Sequence, residues 1–354
     1  MLIYTCISSH GFGHGSRSVA VLQQLARLRP HWRLVLSTGL PVAFLKLAFG
    51  HGNFELRPCR WDVGVVQADA LGVDPLATLR ALEALDASLP AQIEAEVAWL
   101  VRQEQPVLVL GDVPPPAALI AARLGAPLIW LASFGWDSIY GAMGPELARR
   151  GLAARQLYGQ GDLLLRCPLN LPMDWGIPEQ PIGLTHSEPR PLDAGLLAQL
   201  DLPAERDRCV LISFGGLGLS LEPALLGRWP EHVFIGSDPA LALAANARLL
   251  PEGLRPLDLM PYVGRLITKA GYSSFCEAFS QGVGIHLVDR QGFAEAPVLS
   301  RALQDHGRHR LLSRSQLDRG DWDPDQSLLE ARQGPLPGGG AEAAAAAIVR
   351  QQAS

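Results

Sequence analysis

The sequence has few cysteines and no long apolar run, and each shortage excludes a class of protein. The five cysteines lie apart, without C-x-x-C spacing, at positions 6, 59, 167, 209 and 276. Such a set disfavours a disulfide framework or a structural zinc site and predicts reduced, buried thiols in a cytoplasmic protein. No apolar run reaches the roughly 18 residues that a membrane-spanning helix needs. The N-terminus lacks the basic start of a signal peptide, so residues 2–7 predict a β-strand.

An excess of positive charge is also absent, because the formal net charge of the 354-residue chain is -5 at pH 7. Dedicated nucleic-acid binders carry a basic face, so we expect no nucleic-acid partner. Hydrophobic residues make up 48% of the chain and charged residues 18%, which is typical of a folded globular protein. The length favours two domains.

What is present is an alternation of short apolar strands with helical patterns, in two blocks. The first block predicts strands and helices between residues 2 and 131, including a first helix at 18–28. The second block predicts strands between 209 and 288 and a terminal helix near the C-terminus. Closely spaced prolines between the blocks are typical of a linker. We therefore predict domains at 1–170 and 191–340, a linker at 171–190 and a C-terminal helix at 341–354.

This alternation predicts an α/β fold with two Rossmann-like open parallel sheets. Ligands of such sheets bind beyond the carboxyl ends of the strands. Two sheets that face each other would therefore place a cleft between the domains.

A glycine-rich stretch, SSHGFGHGSR at residues 8–17, follows the first predicted strand. Glycines let the backbone approach a ligand, and a following helix offers free N–H groups. The order G-x-G-x-G, with Ser37 and Thr38 rather than an acid after the second strand, disfavours a nicotinamide cofactor. His14 lies between two glycines, where we expect it to be exposed and able to act as a general base. A plain turn is the alternative interpretation.

Polar and aromatic residues follow two further strands of the first block. Asp112 ends a strand and can orient a histidine at a neighbouring strand end, although a helix cap is an equal alternative. Trp136 and Asp137 lie in the aromatic segment FGWDSIY, which can line an acceptor pocket or pack in the core.

The second block carries two glycine turns of the kind that bind phosphate. Gly215 and Gly216 follow its first strand, and the segment ITKAGYSSFCEA at 267–278 places serines in the first turn of a helix. Glu277 can accept hydrogen bonds from a ribose, whereas a capping box of Ser274 and Glu277 is the structural alternative. The segment DRQGFAE at 289–295 follows the next strand, where a sugar can be held.

Taken in order, the motifs SSHGFGHGSR, GDVPP, FGWDSIY, LISFGG, ITKAGYSSFCEA and VDRQGFAE resemble those of GT-B glycosyltransferases. They are most similar to the glycosyltransferase-like domain that precedes the kinase in plant arabinokinases, and to its free-standing bacterial relatives. A more distant similarity is to the family 28 transferases. The matching motifs run from residue 2 to about residue 300, so the resemblance covers most of the chain.

The resemblance implies a nucleotide-sugar donor on the second domain and an acceptor on the first, with no further cofactor. The catalytic base would be His14, paired with Asp112. Acceptor-side residues would be Gly11, Gly13, Arg17, Trp136 and Asp137. Donor-binding residues would be Gly215, Gly216, Lys269, Gly271, Ser273, Ser274, Glu277, Arg290 and Glu295. No D-x-D motif stands at a predicted donor strand end, so we expect no metal requirement.

The expected reaction is an inverting transfer of a hexosyl or pentosyl group to a hydroxyl of a small-molecule or lipid-linked acceptor. Peripheral membrane contact by the apolar segment 40–45 is an alternative to a buried helix there. The pattern G-H-x-x-R at 13–17 also matches nucleotide-sugar hydrolases, and an epimerase uses the same fold. Three positions differ from the family pattern, namely Ser133, the serine pair at 273–274 and Gly264-Arg265. They suit a non-catalytic sugar-nucleotide-binding protein.

Overall fold

A computed structural model describes residues 1–66, 72–215, 221–290 and 292–353. The strands are β1 (Leu2–Ile7), β2 (Arg33–Thr38), β3 (Glu55–Pro58), β4 (Val107–Asp112), β5 (Leu128–Ala132), β6 (Leu163–Arg166), β7 (Glu179–Pro181), β8 (Cys209–Ile212), β9 (Val233–Gly236), β10 (Ala247–Leu249), β11 (Arg265–Lys269), β12 (Gly284–Val288) and β13 (His309–Leu312). The helices are α1 (Phe12–Leu28), α2 (Val42–Phe49), α3 (Pro75–Val101), α4 (Ala117–Leu124), α5 (Trp136–Gly141), α6 (Pro145–Tyr158), α7 (Ala194–Leu200), α8 (Pro256–Leu259), α9 (Tyr272–Ser280), α10 (Ala296–His306), α11 (Arg314–Arg319) and α12 (Gly340–Ala353).

The described strands form two open, all-parallel sheets, as the alternation predicts. The first sheet has the order β3-β2-β1-β4-β5-β6-β7, and the second has the order β10-β9-β8-β11-β12-β13. In each sheet the strand order reverses direction once, between β1 and β4 and between β8 and β11. Crevices at such reversals are where open α/β sheets bind ligands.

Strand register brings the predicted site residues of each sheet to one edge. Ile7 of β1 lies opposite Asp112 of β4, so the segment that follows β1 begins beside this carboxylate. In the second sheet Ile212 of β8 lies opposite Ile267 of β11. The glycine turns that follow β8 and β11 therefore leave the sheet side by side.

The chain crosses between the two halves twice, and the two crossings are hydrogen-bonded to each other. The Leu184 N–H donates to the Pro337 carbonyl (2.8 Å), and the Gly340 N–H donates to the Leu184 carbonyl (3.0 Å). A Cβ at Gly183 would lie 2.1 Å from the Gly338 oxygen, so the pairing requires glycine there. Strand β7 falls within the predicted linker 171–190 and extends the first sheet beyond residue 170. The domain limits themselves stay a prediction.

After the return crossing, α12 packs against α1 of the first half. Its packed face carries small buried side chains, including Ala344 and Ala345, which allow the helices to approach closely. The Gln24 side-chain amide donates to Glu342 across this contact (2.8 Å). In the described parts of the chain, we find no helix with the length and apolarity to cross a membrane.

Candidate active site

A cleft of about 1000 Å³ lies between the carboxyl edges of the two sheets. Its first-half wall comprises residues 9–14, Arg17, part of α2, and Ser133 with Phe134. Its second-half wall comprises the turns after β8, β9, β11 and β12. Of the predicted site residues, those that line the cleft are Gly11, Gly13, His14, Arg17, Gly215, Lys269, Gly271, Ser273, Ser274, Glu277, Arg290 and Glu295. Gly216 lies outside the described residues.

His14 is held by the first turn of α1, which begins at Phe12 rather than at the predicted residue 18. The prediction that His14 is exposed is wrong, because Phe134 and Trp136 pack against the imidazole and leave 8% of the residue exposed. Its Nδ1 lies 2.8 Å from Asp112 Oδ1. Since a carboxylate can only accept, this contact assigns the proton to Nδ1 and leaves Nε2 able to accept a proton from a hydroxyl.

Asp112 is fully buried at the end of β4 and receives three further contacts from α1 side chains. Its Oδ2 accepts from Arg17 Nε (3.0 Å) and from Ser18 Oγ (2.7 Å), and its Oδ1 forms an ion pair with Arg17 Nη2 and faces His14. Burial alone would raise the pKa of Asp112, but the Arg17 charge and these hydrogen bonds hold that pKa at about 2. Asp112 is therefore ionised wherever the protein is folded near neutral pH.

Arg17 also connects the cluster of His14, Asp112 and Ser18 to Ser133. The guanidinium donates from Nη1 to Ser133 Oγ (2.9 Å) and is itself 2% exposed. Ser133, one of the positions that differ from the family pattern, thus accepts a hydrogen bond from a residue of the site. Neither Ser18 nor Ser133 was among the predicted site residues. The spacing of His14 and Ser18, four residues apart, would have indicated a shared helix face had the helix start been predicted correctly.

Trp136 and Asp137 are not among the residues that line the cleft, and their acceptor-side role stays a prediction. Trp136 is fully buried, stacks on Tyr140 and donates from Nε1 to Asp62 Oδ2 (2.8 Å). Asp137 accepts from Trp175 Nε1 (3.1 Å) instead. Aromatic side chains that satisfy their N–H groups inside the core are structural. Asp62, which was not among the predicted residues, accepts the hydrogen bond from Trp136 and so fixes the position of that side chain.

The second-half wall carries the predicted phosphate turn. Gly271 precedes α9, whose first turn contains Ser273 and Ser274, so N–H groups and hydroxyls face the cleft. Gly215 has a φ of +73°, a left-handed conformation that favours glycine. Burial, and next the Arg290 charge, lower the pKa of Lys269 to about 8. Glu277 lies half-buried in the same wall, and burial raises its pKa to about 7.

The two walls touch where the helices α1 and α9 begin. Ser273 Oγ donates to the Gly13 carbonyl (2.9 Å). The Arg17 guanidinium carbon lies 5.0 Å from the centre of the Tyr272 ring, a cation–π distance. The helix that holds His14 and the turn that would hold a phosphate are therefore in direct contact.

A substitution at Gly15 tests how closely α1 packs against Leu40 and Phe44. A Cβ there would lie 2.6 Å from Phe44 Cε1 and 2.7 Å from Leu40 Cδ1. We expect Gly15→Ala to lower the free energy of unfolding by about 1–3 kcal/mol, measured by urea denaturation. The matched control is Gly11→Ala, where a Cβ meets no atom within 4 Å and the backbone is extended. A Gly15→Ala protein as stable as the wild type, or more stable by the roughly 1 kcal/mol that helix propensity alone predicts, would contradict this.

Glu295 makes stability depend on pH. Burial raises its pKa from 4.5 to about 7, although the charges of His14, Arg17 and Arg290 oppose the shift. The folded state thus holds this proton more tightly than the unfolded state, so its contribution is complete below pH 4.5 and is lost as the pH rises to about 7. As the pH rises from about 5 to about 7.5, the free energy of unfolding of the wild type should fall. That of Glu295→Gln should fall by about 1–3 kcal/mol less. Denaturation at several pH values, with the exposed Glu330→Gln as control, measures the difference; equal slopes in all three proteins would refute it.

Over the described ranges, no group of three or more His, Cys, Asp or Glu side chains is arranged to hold a metal ion. The expectation of metal-independent chemistry stays a prediction.

Comparison with curated proteins finds the L-arabinokinase of Arabidopsis thaliana, 28% identical over 325 residues. The match covers 90% of this chain and 31% of that protein, so the chain spans about a third of the length of the curated relative. No protein-family model matches the chain.

Solved glycosyltransferase structures share the fold. Phytolacca americana UGT2, in complex with UDP-2-fluoro-glucose and pterostilbene, superimposes with a TM-score of 0.64 at 14% identity, over 92% of this chain and 88% of that one. Arabidopsis thaliana UGT89C1, in complex with UDP-L-rhamnose, gives 0.63 at 14% identity, over 94% and 91% of the two chains. The predicted GT-B fold, two Rossmann-like parallel-sheet domains facing a cleft, is confirmed.

Proposed function

We propose that this chain transfers a sugar from a nucleotide-sugar donor to a hydroxyl of an acceptor, with inversion at the anomeric carbon. The observation that carries the proposal is the buried His14–Asp112 pair, whose imidazole lines the same cleft as the Gly271 turn. A base and a phosphate-binding helix end on opposite walls are what a displacement at an anomeric carbon needs. The complexes of the structural relatives support UDP as the nucleotide.

In this reaction the acceptor oxygen attacks the anomeric carbon and forms the new glycosidic bond. The bond from that carbon to the phosphate oxygen breaks, and its electron pair leaves with the nucleoside diphosphate. The acceptor proton passes to His14 Nε2, and Asp112 stabilises the imidazolium through Nδ1. The N-terminus of α9 and Lys269 offset the charge that grows on the departing diphosphate, so we propose that no metal or further cofactor is required.

The remaining predicted residues of the donor wall would bind the rest of the donor. Gly271, Ser273 and Ser274 would hold the diphosphate, and Glu277 would accept hydrogen bonds from the ribose. Gly215 would let the turn after β8 approach the diphosphate.

The acceptor would bind on the first-half wall. Apolar groups line that wall beside the base, and the rings of Phe12 and Phe44 stack there with their centres 4.4 Å apart. Phe12 is 37% exposed, so part of this stack faces solvent. We propose a hydroxyl acceptor with an aromatic or apolar body, in the cytoplasm. A hexose and a pentose donor are both compatible with the wall.

The test is incubation of the intact chain with UDP-linked sugars, with and without a library of hydroxyl acceptors. Transfer of the sugar with release of UDP supports the proposal. Release of sugar phosphate would favour a nucleotide-sugar hydrolase on the same fold, and an altered sugar still joined to UDP would favour an epimerase. Binding without any turnover would favour a nucleotide-sugar sensor. No binding of any UDP-sugar would overturn the proposal.

A further inference from the structure

Arg290 is a buried cation, and one of its donors has no hydrogen-bond partner among the residues that the structure describes. It follows β12 in the second-half wall of the cleft and is 9% exposed. Its guanidinium carbon lies 3.7 Å from the centre of the Phe293 ring, and within the residues that the structure describes its Nε has no hydrogen-bond partner. A buried charge is costly unless it is paired, so this position is suited to an anionic group on a ligand.

Glu295 lies in the same wall, but its carboxyl does not neutralise the charge of Arg290. It is 7% exposed, and its Oε1 also has no hydrogen-bond partner in the described ranges. Burial raises the pKa of Glu295 to about 7, so the protonated carboxyl is present in a substantial fraction near neutral pH. A protonated Glu295 can donate to a ligand oxygen and leaves the charge of Arg290 available.

The position of Arg290 relative to the base indicates which part of a ligand it would meet. Phe293 stacks on His10 of the first half, with ring centres 6.0 Å apart and planes 5° apart. The charges of His14 and Arg17 act on the Glu295 carboxyl and oppose the rise in its pKa. This part of the wall therefore borders the base, where the transferred sugar must lie. Lys269 and the first turn of α9 remain for the diphosphate.

We infer that the sugar transferred in this site carries a carboxylate, as a hexuronic acid does, and that Arg290 binds that carboxylate. The planar guanidinium matches a carboxylate in a two-point contact, which a lysine cannot reproduce. The inference rests on the proposed function, because it assigns the sugar end of the same donor. The proposed sugar carries a negative charge. The sugars of UDP-2-fluoro-glucose and UDP-L-rhamnose, which are bound in the complexes of the structural relatives, carry none.

The experiment measures the affinity of the intact protein, by calorimetry and without acceptor, for UDP and for two matched donor pairs. The pairs are UDP-glucose with UDP-glucuronate and UDP-galactose with UDP-galacturonate. In at least one pair the uronate should bind more tightly by about tenfold or more. Arg290→Gln should weaken uronate binding by a much larger factor than it weakens binding of UDP or of the neutral partner in the same pair, so that most of the preference is lost. The exposed Arg301→Gln on α10 is the control, and Arg290→Lys should keep a reduced preference.

Each other outcome decides against the inference in a distinct way. Equal affinities within both pairs, or a preference for the neutral donors, overturn it. A loss of UDP affinity in Arg290→Gln as large as the loss of uronate affinity would assign Arg290 to the diphosphate. No affinity for UDP or any UDP-sugar would overturn the proposed function itself. If Arg290→Gln fails to fold, the lysine variant and the donor pairs still decide the matter.

Discussion

His14→Ala is expected to lower kcat by about 10²–10⁴-fold, the usual contribution of a general base, while the affinity for UDP stays within about twofold of the wild type. The ring lines the cleft, and the contact between Gly13 and Ser273 uses the Gly13 backbone and not the ring, so its loss removes proton transfer and leaves the phosphate turn in place. The measurement is UDP release under saturating donor, together with UDP binding by calorimetry.

The control for this variant is His31→Ala, which removes an exposed imidazole after the same helix. It should retain wild-type kcat and UDP affinity. An unchanged kcat in His14→Ala would remove His14 from the reaction, and a parallel loss of UDP affinity would indicate that the ring supports the donor site rather than the chemistry.

Asp112→Asn is expected to lower the free energy of unfolding by about 3–5 kcal/mol, the cost of leaving a buried charge unpaired. The neutral amide would face Arg17, which is 2% exposed and bonds both carboxylate oxygens. Urea denaturation at neutral pH measures the loss. The control is Asp86→Asn, which breaks the surface ion pair with Arg150 and should cost less than about 1 kcal/mol.

The double variant Arg17→Met with Asp112→Asn separates folding from catalysis. Removing both charges should recover much of the lost stability, because the unpaired guanidinium is gone. It should not recover kcat, since nothing then stabilises the His14 imidazolium. A single Asp112→Asn variant as stable as the wild type would show that the cluster tolerates an unpaired Arg17.

The central strands were predictable because parallel strands covered on both faces are continuous apolar runs. Strand β1, with the sequence LIYTCI, is buried at every position. The edge strands β7 and β13 were not predicted, because they are three and four residues long and contain polar or charged side chains. Such residues protect sheet edges, and they leave little apolar signal in the sequence.

The pairing of His14 with Asp112 was predictable in outline, since neighbouring parallel strands place their carboxyl ends together. The supporting contacts were not. Whether Ser18 reaches Asp112 depends on where α1 begins, and Gly11 gives no side-chain cap to mark that start. The direction of Trp136 depends on Asp62, which is 74 residues away in the chain. Contacts of that kind are set by tertiary packing and not by local pattern.

The paired crossings near Leu184 and Gly340 have a mechanical consequence. The two segments that cross between the halves are joined by backbone hydrogen bonds, so neither can move without the other. Any movement of one half against the other must therefore displace both segments together, and it must also break the hydrogen bond from Ser273 Oγ to the Gly13 carbonyl.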